Sequence, residues 1–231
     1  MKDPFKILFY EDGDPIDTRC IRRFNCAFSK SYQEVVRKII EKSAVCNRDV
    51  FGFNVATLMP SFRMTRVGAF HGVRINNKGI VSDPKGVIES CWDQVGAQLQ
   101  KLRNYVDENT CKSRNRVLAD LSPAPRDYVI EKTAELFEEL RKVTVGTSKV
   151  GRVAASKVLF AIFPEIALPV DNIEWDHVFK TEKYLKILST MVSEIDEWER
   201  KSKKHLDNID LKNTLPGIYN VMAMAARPLR S

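Results

Sequence analysis

Asp171 is the residue whose setting invites chemistry. In "TSKVGRVAASKVLFAIFPEIALPVDN", residues 147–172, a small basic stretch leads into an apolar run, and "LPVD" sets one carboxylate just past it. Between Glu139 and Glu165 the chain holds no acid, while Arg141, Lys142, Lys149, Arg152 and Lys157 supply five cations. One helix is expected to end near Lys142 and the next to begin near Arg152, with a glycine-bearing turn between them. Free backbone N–H groups at such a helix start bind phosphate, and several cations on phosphate make binding steeply salt-dependent. The competing reading is a solvated basic face beside a buried helix, with Asp171 serving only as an N-cap.

The spacing of this stretch resembles the helix-hairpin-helix DNA glycosylase superfamily, the group that includes endonuclease III, the adenine glycosylase and 8-oxoguanine DNA glycosylase. In that family a hairpin reading roughly L-P-G-V-G-x-K-x-A precedes an apolar helix and a P-x-x-V-D loop. Val150 and Gly151 fall on the family's V-G, Ala155 on its alanine, and Asp171 on its catalytic aspartate without a gap. Trp175, four residues after the aspartate, matches the 8-oxoguanine branch. The close match covers residues 147–175, and the first 120 residues add nothing to it.

The resemblance implies a helical DNA glycosylase-like protein with duplex DNA as its partner; no cofactor is expected. Asp171 would be the catalytic carboxylate, and Lys149, Val150, Gly151, Arg152 and Lys157 would hold backbone phosphates. Trp175 and His177 would line the base pocket. A carboxylate beside the anomeric carbon stabilises the oxocarbenium-like transition state of N-glycosidic cleavage, and the base must leave the stack to be reached. Two departures matter. Lys149 stands on the family's first hairpin glycine, with Thr147 and Ser148 on its L-P. Val153 stands on the catalytic lysine of bifunctional members, which excludes Schiff-base chemistry through that position and makes the implied activity monofunctional. Two alternatives stand beside this enzyme: a non-catalytic nucleic-acid-binding protein of the same class, and a helical protein-interaction module whose basic face meets a protein.

The elements that must position Asp171 read as mainly α, a helix-hairpin-helix glycosylase-like bundle with a small β element in the N-terminal half. Residues 1–120 read as an α+β region of open role and 121–231 as a helical region holding the hairpin and Asp171, with one continuous domain as the alternative. "FKILFY" at 5–10 suggests a strand. "SYQE" from Ser31 has capping-box spacing and opens a helix to about Ala44. Residues 50–81 are the least helical, with "NNKG" as a hairpin turn. A helix follows from about residue 82 to Val106, and 108–120 is a connection. Beyond Leu121 the apolar spacing is helical throughout; "VAASKVLFAIF" is apolar nearly all round, a buried central helix ended by Pro164, and Thr214 caps the last helix.

The chain has 231 residues, 44% of them hydrophobic, and a formal charge of +7. That excludes a disordered chain and points weakly to a polyanionic partner. No window reaches the ~18 apolar residues of a membrane span, and "MKDPFKILFYEDGDP" is too acidic for a signal peptide. The expected location is the cytoplasm or nucleoid, with no membrane partner. Cys20, Cys26, Cys46, Cys91 and Cys111 have no C-x-x-C pair, and His71, His177 and His205 have no metal-ligand spacing, so no metal site is signalled.

Overall fold

The computed structural model describes residues 6–27, 30–110, 114–144 and 149–228. At its centre is a helix, α7 (Lys149–Ile162). Every residue from Gly151 to Val170 is buried, as a helix apolar on all sides requires. α6 (Pro123–Thr144) and α3 (Arg48–Leu58) pack directly on α7, α4 (Val87–Asn109) and α8 (Tyr184–Ser202) pack on α6, and α2 (Lys30–Lys42) packs on α3. α1 (Thr18–Ala27) lies against α9 (Leu215–Ala225). The buried apolar cluster contains residues from Ile7 to Ala223. The architecture is therefore mainly helical, with one small antiparallel sheet: β1 (Arg74–Ile75) and β2 (Val81–Ser82) pair Arg74 with Ser82 and Ile75 with Val81.

Pro164 stops α7, and its last carbonyls find partners from elsewhere. Asn54 donates to Ala161 O at 2.9 Å and Arg103 donates to Ile162 O at 3.1 Å. The buried Glu165 accepts from Arg103 and, at 2.7 Å, from Arg114. Burial pushes the Glu165 pKa up, but the two guanidiniums outweigh it and hold the carboxyl below its ordinary value. At the far end of the chain Thr214 caps α9, accepting from Gly217 N–H at 3.2 Å. A Cβ at position 217 would lie 2.0 Å from Asn213 Oδ1, so only glycine fits under that cap.

The hairpin turn falls where "NNKG" places it: Asn76 Oδ1 accepts from the backbone N–H of Lys78 (2.9 Å) and Ile80 (3.0 Å). Four expectations change. Residues 6–10 form no strand but a turn-flanked segment with a single bridge, Phe9 to Pro15. α8 pins this N-terminal stretch: Leu8 N–H donates to Glu194 Oε1 at 2.6 Å, and Trp198 Nε1 donates to Ile16 O at 3.0 Å. α2 spans Lys30–Lys42, so Ser31 lies within the helix rather than at its cap. The helix read from residue 82 starts at Val87, because Gly86 adopts φ 63° and Asp83 Oδ2 receives the Ile88 N–H at 2.6 Å. α3 occupies part of the stretch read as least helical. It packs against α2, α4 and α7 together, so it shows no single apolar stripe, and Asn47 caps it by accepting from Val50 N–H at 2.9 Å. The connection at 108–120 contains a 3₁₀ turn, Arg114–Arg116, and a short α5 (Val117–Asp120).

Candidate functional site

The loop that delivers Asp171 is fixed along its length. Thr214 Oγ1 donates to Pro164 O at 2.6 Å. Tyr184 OH accepts from Leu168 N–H at 2.9 Å and donates to Leu168 O at 2.8 Å. Val170 N–H donates to Ser156 Oγ on α7 at 3.0 Å. Asp171 then opens the next helical segment, a turn that continues as a π-helix over Glu174–Phe179. Its carbonyl accepts from Trp175 N–H at 3.0 Å, and its N–H donates to Glu174 Oε2 at 2.6 Å, the backward half of a capping box.

The Asp171 side chain does not fold onto its own helix. Oδ1 takes the Lys157 ammonium and Oδ2 takes the Arg227 guanidinium at 2.9 Å. Arg227 Nε also reaches Glu174 Oε1 at 2.8 Å, which closes a quartet of two acids and two cations. Lys157 and Glu174 are each 1% exposed at the side chain, while Asp171 keeps 31%. Burial opposes ionisation of Asp171, yet Lys157 and Arg227 outweigh it and hold the carboxyl below its usual range. Glu174 goes the other way: burial dominates, Arg227 offsets only part of it, and the pKa is pushed up to about 7. Burial also lowers the Lys157 pKa, with Asp171 pulling back in part. Aromatic rings close one side: Lys157 Nζ lies 3.9 Å from the Phe62 centroid, and Phe62 meets Tyr32 edge-on at 5.4 Å.

The basic residues of the motif are mostly satisfied internally. Arg152 is buried, with Asp176 at 2.6 Å and Glu182 at 3.3 Å. Lys157 is held by Asp171, Arg141 by Glu138 at 3.2 Å and Lys142 by Glu139 at 2.7 Å. Gly151 is buried within α7. The turn at 145–148 and the side chains of Lys149 and Val150 lie outside the described residues, as does Cys111. A sequence window free of acids from 140 to 164 is thus neutralised by acids one turn back and by acids that the next loop and helix bring over.

Trp175 and His177 part company. Trp175 is buried against Phe137 (5.8 Å) and Tyr184 (6.1 Å), a core aromatic rather than the lining of an open pocket. His177 is exposed and borders a cleft of about 530 Å³ shared with Tyr10, Phe24 and Met222. Val153 is also buried. The metal question has a local answer at Glu199, His205 and Asp207, whose ligand atoms lie within 4.8 Å of one another. Arg116 already supplies the cation there, bidentate on Glu199 at 2.9 Å and bonded to Asp207.

Four contributors to the site escape the sequence reading: Tyr32, Phe62, Glu174 and Arg227. Glu174 has a legible signal, since "DNIE" is itself capping-box spacing; the other three come from distant segments with no local mark. A run of exposed cations was also missed. From Val50 to Ser82 the chain has no acid. Arg63, Arg66, Arg74 and Lys78 in that stretch are all exposed, and none forms an ion pair among the described residues. Arg63 follows Phe62 directly, so this run starts beside the quartet.

No helix among the described residues is long and apolar enough to cross a membrane. Comparison with protein-family profiles, curated proteins and solved structures finds no match for this chain.

Proposed function

We propose that this chain is a non-catalytic nucleic-acid-binding protein that meets phosphates through the acid-free surface of residues 60–82, with Asp171 organising the fold. The helix-hairpin-helix resemblance supplies the class of partner. The observation that carries the choice is that both Asp171 oxygens are taken by Lys157 and Arg227, while Arg63, Arg66, Arg74 and Lys78 face solvent without partners among the described residues. Fluorescence anisotropy with short duplex and single-stranded oligonucleotides tests it. Affinity should fall steeply with salt, and each alanine substitution at those four positions should lower the log–log salt slope by about one. Absence of binding at low salt ends this reading.

A second reading, a monofunctional DNA glycosylase, is favoured by one observation: Asp171 keeps 31% of its side-chain surface at a helix start and is held ionised. A fixed carboxylate of that kind suits an oxocarbenium-like transition state. Duplexes carrying damaged bases, assayed with wild type and with Asp171→Asn, decide it. Excision that vanishes in a folded Asp171→Asn protein establishes the enzyme, and no excision from any duplex leaves the binding reading alone.

A further inference from the structure

A cleft of about 570 Å³ opens between α3, the β1–β2 hairpin and the start of α4, a size that suits a small molecule. Phe51, Phe53 and Trp92 contribute to its lining. Phe51 is buried and backs the Trp92 indole, 5.4 Å between ring centroids, while Phe53 and Trp92 are only half-buried. The indole also rests on its own helix: a Cβ at Gly96 would lie 2.7 Å from Trp92 Cε2. On the α3 side the cleft is open, since a Cβ at Gly52 would touch only Ile88 Cγ2, at 3.7 Å.

The charged lining is net acidic, with Lys42 and Arg48 against Asp49, Asp83 and Glu89. Arg48 is committed to Glu89, at 2.9 Å, and to Asp93. Asp49 is exposed and forms no ion pair among the described residues. Arg74 and Lys78, the exposed cations of the hairpin, are not among the lining residues. Lys42 directs its ammonium at a ring, 4.5 Å from the Phe53 centroid. The aromatic face of this cleft therefore already receives an ammonium from the chain itself.

We infer that the cleft binds a small quaternary ammonium compound of the choline kind, with Phe53 and Trp92 as its aromatic walls and Asp49 as the counter-charge. Ring quadrupoles attract such a cation, and its methyl groups make dispersion contacts with the same rings. An anion would meet the net negative lining, and a neutral ligand would forgo the attraction. Lys42 is then the resident competitor for the Phe53 face. This site goes beyond the nucleic-acid reading and does not depend on it.

Saturation-transfer NMR on the N-methyl protons of choline reads binding to the full chain directly. Trp175 and Trp198 are buried and Trp92 is half-buried, so a parallel change in tryptophan emission places the ligand in the cleft. Choline should bind about fivefold or more tightly than its uncharged isostere with carbon in place of nitrogen. Lys42→Met removes the competing ammonium, so choline should bind about two- to fivefold more tightly to that variant. Gly52→Leu should fill the cleft and abolish both signals; leucine favours helix more than glycine, so the fold is kept. No transfer to choline, equal binding of the uncharged isostere, affinity that fails to rise in Lys42→Met, or signals that survive Gly52→Leu overturn the proposal.

Discussion

The Arg152 guanidinium lies over the indole of Trp175, 5.3 Å from the ring centroid, and its nitrogens reach Asp176 and Glu182. The most prominent basic residue of the motif is thus stacked into the core with its charge balanced by acids of the following segments. Trp175→Ala should therefore cost about 3–5 kcal/mol, the range for removing a buried aromatic, while oligonucleotide affinity of the remaining folded protein stays unchanged. Urea denaturation and anisotropy measured on the same preparation check this. A stable Trp175→Ala protein with altered base preference would restore Trp175 to a pocket.

Lys157 and Asp171 make the second prediction. Lys157 is wholly buried, so Asp171→Asn leaves an ammonium in the interior without its carboxylate partner. Breaking such a pair costs about 3–5 kcal/mol in fully buried sites; with Asp171 one-third exposed, solvent screening brings the expected cost below that range, to about 2–3 kcal/mol. Lys157→Met combined with Asp171→Asn should be less destabilising than the sum of the single changes. Additive effects would mean that the pair contributes nothing as a pair.

Acidity should act through two buried glutamates. Burial pushes both Glu174 and Glu194 up to about 7 from an unfolded value near 4.5. Between those values the folded chain holds protons that the unfolded chain has released, so stability falls as pH rises from 4.5 to about 7. Asp171, Glu165 and Glu199 are held low, and their contribution is lost only as pH drops through those low values. The melting temperature should peak on the acid side of neutrality, near about pH 5. Glu194→Gln should flatten the neutral limb and raise stability above pH 7 by roughly 1–3 kcal/mol. A higher melting temperature at pH 7.5 than at pH 5.5 would contradict this.

Thiol reactivity should follow exposure. Burial pushes Cys46 up to about 11 and Cys91 up to about 12, leaving little thiolate at neutral pH. Cys26 is exposed. A thiol-titrating reagent should modify Cys26 before Cys46, and Cys91 only after urea unfolds the chain, with mass spectrometry locating each adduct.

Much of the helical frame is readable in the chain, because α6, α7, α8 and α9 each carry a strong local signature: an amphipathic stripe, an all-apolar run ended by Pro164, or a cap at Thr214. α3 is not readable for the opposite reason. Packed on three neighbours, it has no polar face to set its period. The candidate site divides the same way. Asp171 and its capping partner Glu174 are the two ends of one four-residue motif, whereas Arg227, Tyr32 and Phe62 meet them only through tertiary packing. Charge was the most misleading signal: Arg152 and Lys157 look free along the chain because Asp171, Asp176 and Glu182 stand outside the window and return in space.

The bond from Leu8 N–H to Glu194 has a consequence for biosynthesis. The partners are separated by 186 residues, so on a ribosome making about 5–20 residues each second the Leu8 segment waits roughly 10–40 s for its acceptor. Ile7, Leu8 and Phe9, all buried in the finished fold, spend that interval uncovered. Closure of this clasp is then among the last steps of folding, and the nascent chain presents a short apolar sequence to chaperones until α8 has emerged.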